Sequence, residues 1–174
     1  MHLTPLMERY VLHWGEMGSR WGVNRSVAQI HALLFLSPKP LTAEEIADTL
    51  SIARSNVSTG LRELQGWGLV QVTHIMGDRR DHFVALKDSW ELLSTIVEER
   101  KRREIDPTLV VLRQCAADAE QDRATDPEVK ARIEQMLGFA ESLNRWYEDV
   151  RRLPRPVLAA LVKMGAKVAR LVSR

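Results

Sequence analysis

A single cysteine, Cys115, occurs in the sequence. An internal disulfide is therefore excluded, and the usage fits a reducing cytoplasm. Long apolar runs are missing as well. No stretch approaches the roughly 18–20 apolar residues a spanning helix needs, so no transmembrane segment is expected. The opening Met1-His2-Leu3-Thr4-Pro5 lacks a basic stretch followed by an apolar one, so no secretory signal is expected either. Gly and Pro number only 9 and 7, and repeats and low-complexity tracts are absent. Catalytic patterns are equally scarce. His13, His31, His74 and His82 show no metal-ligand spacing. No nucleophile elbow, phosphate-binding glycine loop or acid/base carboxylate constellation stands out. The expectation is a protein that is not an enzyme and needs neither cofactor nor metal.

What is present is a core. Of 174 residues, 45% are hydrophobic and 28% charged, enough for one generous domain or a small domain plus an oligomerisation element. The net charge of +2, from 25 basic and 23 acidic side chains, conceals an uneven distribution. Residues 106–150 are predominantly acidic. After them come Arg151, Arg152, Arg155, Lys163, Lys167, Arg170 and Arg174 with no acid between. A near-neutral total of this kind does not exclude nucleic acid, because phosphate responds to the local field.

Periodicity predicts helices at about 4–21 and from Asn24 to about Leu36, the first weakened by Gly15, Gly18 and Gly22. Thr42 and Glu45 form a capping-box pattern at the start of a short third helix, with Leu41 placed as a staple against Ile46. A fourth helix runs from about Arg54 and buries Val57, Leu61 and Leu64 before Gly66-Trp67-Gly68 ends it. The period then switches. Residues 69–75 and 82–86 read as two strands joined by Gly77-Asp78-Arg79-Arg80-Asp81. Beyond residue 88 all is helical, with Asp106-Pro107 and Asp126-Pro127 as capped helix starts. Val129, Ile133, Met136, Ala140, Leu143, Tyr147 and Val150 form one apolar seam; Val157, Leu161, Met164, Val168 and Leu171 form another. Cys115, beside Ala116 and Ala117, reads as a small core residue.

Residues 41–86 carry the function. A capped helix, a tight turn, a second helix and a two-stranded ribbon in that order make a winged helix-turn-helix. With 57/61/64 buried, the second helix presents Arg54, Ser55, Asn56, Ser58, Thr59 and Arg62. Hydroxyls, an amide and guanidiniums suit base edges and phosphates. Arg79 and Arg80 sit on the wing, within reach of an adjacent minor groove or backbone.

Leu41-Thr42-Ala43-Glu44-Glu45-Ile46-Ala47, Arg54-Ser55-Asn56-Val57-Ser58, Leu61-Arg62-Glu63-Leu64 and Gly68-Leu69-Val70 resemble the MarR superfamily of bacterial regulators. The run 77–83 followed by Lys87-Asp88-Ser89-Trp90 is closer to its GbsR-type branch. The resemblance covers about residues 5–105. It implies a dimeric, sequence-specific DNA-binding transcriptional regulator in which 54–65 is the recognition helix. It also implies that the wing's D-x-R pattern, here Asp78 and Arg80, uses the arginine on DNA and the aspartate to hold it.

The expected architecture is mainly α with a small β-hairpin wing: a winged helix-turn-helix domain over 1–88 and a helical dimerisation region over 89–174. The expected partners are double-stranded DNA, a second copy of the chain and a small-molecule effector. The GbsR branch is associated with choline-like molecules, and a quaternary amine would need an aromatic cage. Tyr10, Trp14, Trp21 and Trp67 head the candidates for it. The competing class is a winged-helix protein-interaction or peripheral-membrane module that uses the basic C-terminal helix. Docking of that helix in a dimer is preferred to membrane binding.

Overall fold

The computed structural model describes residues 1–168. It divides into two compact units, Met1–Val97 and Glu98–Arg174.

In the first unit, α1 (Pro5–Arg20) and α2 (Arg25–Leu36) are capped by Thr4 and Asn24, whose side chains accept from the Met7 and Ser26 amides. The glycines of α1 are contacts rather than weaknesses. A Cβ on Gly18 would lie 2.5 Å from the Cβ of Ala28 on α2, so the two helices meet where neither has bulk. Next come β1 (Leu41–Thr42), α3 (Ala43–Leu50), α4 (Arg54–Gly66), β2 (Val70–Thr73) and β3 (His82–Ala85). Ser51 takes a left-handed conformation (φ 54°) to end α3. The Ile52 amide donates back to the Ala47 carbonyl, and α4 follows two residues later.

The capping box forms as expected: Glu45 N–H donates to Thr42 Oγ1 at 3.2 Å, and Thr42 N–H donates to Glu45 Oε2 at 2.8 Å. The same residues do something the periodicity did not reveal. Leu41 and Thr42 pair antiparallel with Phe83 and His82, so the wing is a three-stranded sheet in the order β1-β3-β2 rather than a bare hairpin. Two residues are too few to show an alternating pattern, and only the return of β3 makes them a strand.

Ile30, Leu33, Leu34, Leu41, Ile46, Val57 and Leu64 are fully buried and knit α2, α3, α4 and the sheet together. Lys87, just past β3, locks the end of α2. Its Nζ donates to the carbonyls of Leu34, Phe35 and Ser37, each at 2.7 Å, supplying partners for oxygens the helix end leaves open.

Helix continues through α5 (Ser89–Arg100), a π-helical turn (Lys101–Ile105) and α6 (Asp106–Gln121) without a break. Asp106 is therefore not a cap, contrary to expectation. It is helical (φ −61°, ψ −44°), and its carboxylate accepts from Lys101 Nζ at 2.7 Å. Pro107 has no N–H to give a preceding carbonyl and would crowd the turn before it, and the widened π turn lies in that place. Asp126 does cap α7 (Pro127–Arg151), accepting from the Glu128 amide at 2.7 Å. In the second unit, Glu98 pairs with Arg151, Lys101 with Glu148 and Arg113 with Glu141. As one number rises the other falls, so α7 runs antiparallel to its partners.

The seam of α7 splits. Ile133, Ala140, Tyr147 and Val150 are half-buried, whereas Val129, Met136 and Leu143 are exposed, as are Phe139 and Trp146, which were not part of the seam. Cys115 is exposed, not a core residue. A two-helix pair buries only one face of α6, and Cys115 is not on it. The chain ends in α8 (Arg155–Met164) and a short 3₁₀ turn to Val168. Arg170, Leu171 and Arg174 lie outside the described residues. Among those described, no helix is long and apolar enough to cross a membrane.

Candidate nucleic-acid interface

Helix α4 turns Val57, Gly60, Leu61 and Leu64 inward. The 3.6-residue period then leaves Arg54, Ser55, Asn56, Ser58, Thr59 and Arg62 outward, and all six are exposed. Ala53, at the N-cap position, offers no side-chain cap to the first amides of α4. Such amides, at the positive end of a helix, suit a phosphate oxygen.

Between α4 and the wing lies a concave surface. Arg54, Ser58, Arg62 and Gln65, at successive steps of four, four and three, form one wall, and Val72, Arg80, Asp81 and Phe83 the other. Thr42, Ala43, Glu44 and Leu61 complete it. The fold thus gathers three of the expected guanidiniums around one groove. Ser55, Asn56, Thr59 and Arg79 stand exposed outside its lining. Gln65 and Glu44 join the expected residues in this lining. The first follows from continuing the helical spacing past Arg62; the second needs the fold, because it comes from α3.

The arginines are held to different degrees. Arg54 pairs with Glu44 across the helix-turn-helix. Arg62 is loosely engaged, with the Ser58 carbonyl at 3.4 Å and Thr59 Oγ1 at 3.5 Å. Arg80 is clamped: its Nε donates to both Asp78 oxygens at 3.0 and 3.1 Å, its Nη2 to Oδ2 at 2.6 Å, and its backbone N–H to Oδ1 at 3.0 Å. Those hydrogen bonds hold the Asp78 carboxyl well below the usual carboxylate range and raise Arg80 above its ordinary value. A fixed guanidinium has already lost rotamer freedom that a floppy one would lose on binding. Nη1 takes no part in the clamp.

His82 is the supporting residue the sequence did not disclose. His74, on the same hairpin, is exposed, but His82, the first residue of β3, is buried. Its Nδ1 lies 2.9 Å from the Arg80 carbonyl, so it donates there as Nδ1–H, and its Nε2 faces Asp78 Oδ2 at 3.5 Å. The Nδ1–H bond to the Arg80 carbonyl ties the ring to the clamp.

Residues 21–81, which contain this whole surface except its last residues, match the sequence model of the MarR family. Over those residues the winged-helix unit is similar to the MarR family. The chain is also 24% identical over 140 residues to the HTH-type transcriptional repressor GbsR of Bacillus subtilis, covering 79% of this chain and 77% of the relative. A solved structure described as a transcriptional regulator superposes with a TM-score of 0.60 at 19% identity, covering 83% of this chain and 95% of its own. That likeness shows a shared fold. A MepR mutant of S. aureus bound to an oligodeoxyribonucleotide matches at 17% identity and a TM-score of 0.39, over 79% of this chain and 89% of that one.

The candidate cage residues of the Met1–Val97 unit do not gather in one place. Tyr10 and Trp14 stack at 5.6 Å, and Tyr10 stacks on Phe35 at 6.5 Å. His31 lies within 6.4 Å of both Trp14 and Phe35. Its buried Nε2 has no hydrogen-bond partner. Burial, and then the charge of Lys87, lowers its pKa from 6.5 to about 4. Trp21 follows α1 and is half exposed, while Trp67 follows α4 and packs against the main core.

Proposed function

We propose that the chain is a cytoplasmic, homodimeric, sequence-specific DNA-binding transcriptional repressor. In this reading α4 enters the major groove, and Arg80 and Arg79 reach the flanking minor groove or backbone. The observation that carries it is the groove between α4 and the wing, where Arg54, Arg62 and the clamped Arg80 surround hydroxyl and amide side chains. Similarity to GbsR supports repression. The exposed Met136, Phe139, Leu143 and Trp146 on α7 support a second copy. A regulating small molecule has its best-placed aromatic candidates in Tyr10 and Trp14, to which the ring stack adds Phe35.

Selection of bound duplexes from a random pool tests the reading directly and yields the operator. In a palindromic operator the half-sites should lie about 34–36 Å apart. Arg62→Ala and Arg80→Ala are then compared on the selected and on random duplexes by fluorescence anisotropy at two salt concentrations. A lost base contact should cost about 1–3 kcal/mol on the operator alone; a lost phosphate contact should weaken all sequences alike and flatten the salt dependence. Unchanged binding by both variants would remove α4 and the wing as the DNA face.

A further inference from the structure

The wing carries, at its very tip, side chains that the DNA-binding reading has not used. The Asp78 amide donates to the Ile75 carbonyl at 3.0 Å, closing a four-residue turn. Gly77, third in that turn, has φ +86°, the value a type II turn requires and glycine adopts most easily. Met76 therefore occupies the outermost corner. Its relative exposure is 102%, as open as in an extended chain, and Ile75 beside it is 43% exposed. The other large exposed apolar residues of the Met1–Val97 unit lie on or just after α1 (Leu6, Leu12, Trp21), on α5 (Leu93, Val97) or on β2 (Val72).

The turn does two things at once. Its last residue, Asp78, is the one whose carboxylate clamps Arg80. The backbone that throws Met76 forward therefore also fixes a guanidinium just behind it, with Arg79 alongside. An unbranched apolar side chain with cationic shoulders is the composition of proteins that push a hydrophobic wedge into the minor groove. Methionine is slender enough for a groove about 6 Å wide, and its flexible thioether adapts to a base step. Two arginines on the same loop fit a polyanion, not an apolar protein surface.

We propose that Met76, backed by Ile75, is a minor-groove wedge that partly unstacks one base step and bends the duplex while Arg80 sets its depth on the backbone. This rests on the DNA-binding reading and adds a source of specificity to it. Pyrimidine–purine steps (TA, CA/TG) unstack most cheaply, so the operator carries one where the wing lands, outside the base pairs that α4 reads.

The test uses the full chain and the duplex recovered from the random pool, with 2-aminopurine substituted singly along the flanks of each half-site. Wild-type protein should raise 2-aminopurine fluorescence several-fold at one pyrimidine–purine step. It should also shorten the end-to-end distance in a doubly labelled duplex. Met76→Ser should return both signals to those of free DNA, and Met76→Leu should restore them. Thermal stability should not change in either variant, because the side chain lies outside the protein's packing. Salt-sensitive binding by wild-type protein with no unstacking and no bend would overturn the wedge and leave the DNA-binding reading standing. Failure to select any duplex would overturn both.

Discussion

In the Met1–Val97 unit, Ile30, Leu33, Leu34, Leu41, Ile46, Val57 and Leu64 are fully buried in one cluster, with α2 at its centre. In the Glu98–Arg174 unit, the buried hydrophobic residues among those described are Leu109 and Ala119, while Phe139 and Trp146 stand 61% and 63% exposed. The two regions draw on similar residue types and arrange them differently. Around α2, helices and a sheet close over the apolar side chains from several directions. A pair of helices has only one shared face, so α6 and α7 leave their remaining apolar flanks in water. The first arrangement is complete within one chain. The second leaves apolar flanks that the proposed second copy would cover.

Four measurements bear on this contrast. The largest effect should come from Ile30→Ala, which empties the centre of the first core and should cost about 4 kcal/mol in urea unfolding. A loss below about 1 kcal/mol would mean the stability lies elsewhere. Next comes acid. His31 is held neutral in the fold with its pKa lowered to about 4, against 6.5 for an open imidazole. As pH falls below 6.5 the unfolded chain takes up a proton that the native one refuses. Stability present above 6.5 is then lost, about 2 kcal/mol by pH 5 and about 3 by pH 4. Urea unfolding between pH 6.5 and 5, above the range where carboxylates titrate, reads this directly, and His31→Gln should remove the slope.

Replacing Phe139 and Trp146 together with alanine should raise the dimer dissociation constant by about 30- to 1,000-fold in sedimentation equilibrium, or about 2–4 kcal/mol. Unit-one unfolding should stay unchanged. An unaltered dimer would move the interface off α7. The smallest effect belongs to Gly18→Ala. Overpacking against Ala28 costs about 1–3 kcal/mol and the gain in helix propensity returns about 1, so a net loss of about 1 kcal/mol is expected in thermal unfolding. A stabilised variant would show that α1 moves away from α2 freely.

How much of this was written along the chain depends on distance. The Thr42/Glu45 capping box, the Asn24 and Asp126 caps and the stop at Trp67 use residues within a turn of one another, and they were read correctly. Asp106-Pro107 carries the same signature as Asp126-Pro127, yet one continues a helix and the other starts one. A proline permits a beginning without compelling it, and a π turn can carry the helix past. Gly18 looked like a weak point because the Ala28 that needs its missing side chain lies on the following helix.

The site shows the same division. Which side chains of α4 face outward followed from the helical period alone, because burying Val57, Leu61 and Leu64 leaves no choice about the rest. The wing's arginines were likewise legible from the tight turn that carries them, while the role of Asp78 in holding Arg80 came from the resemblance to the MarR superfamily and not from the turn itself. Sequence by itself therefore determined the winged helix-turn-helix and the cationic side chains it offers. Only the tertiary structure joined Leu41–Thr42 to β3, buried His82 behind the Arg80 clamp and brought Glu44 to Arg54. The strand pairing and the Glu44–Arg54 pair join segments apart in the chain, and His82, whose own partners Arg80 and Asp78 are near neighbours, is paired across the sheet with Thr42. Helical periods and caps are set by neighbours within a turn, whereas pairing across a sheet and burial beneath it are set by whichever segment the folded chain brings alongside.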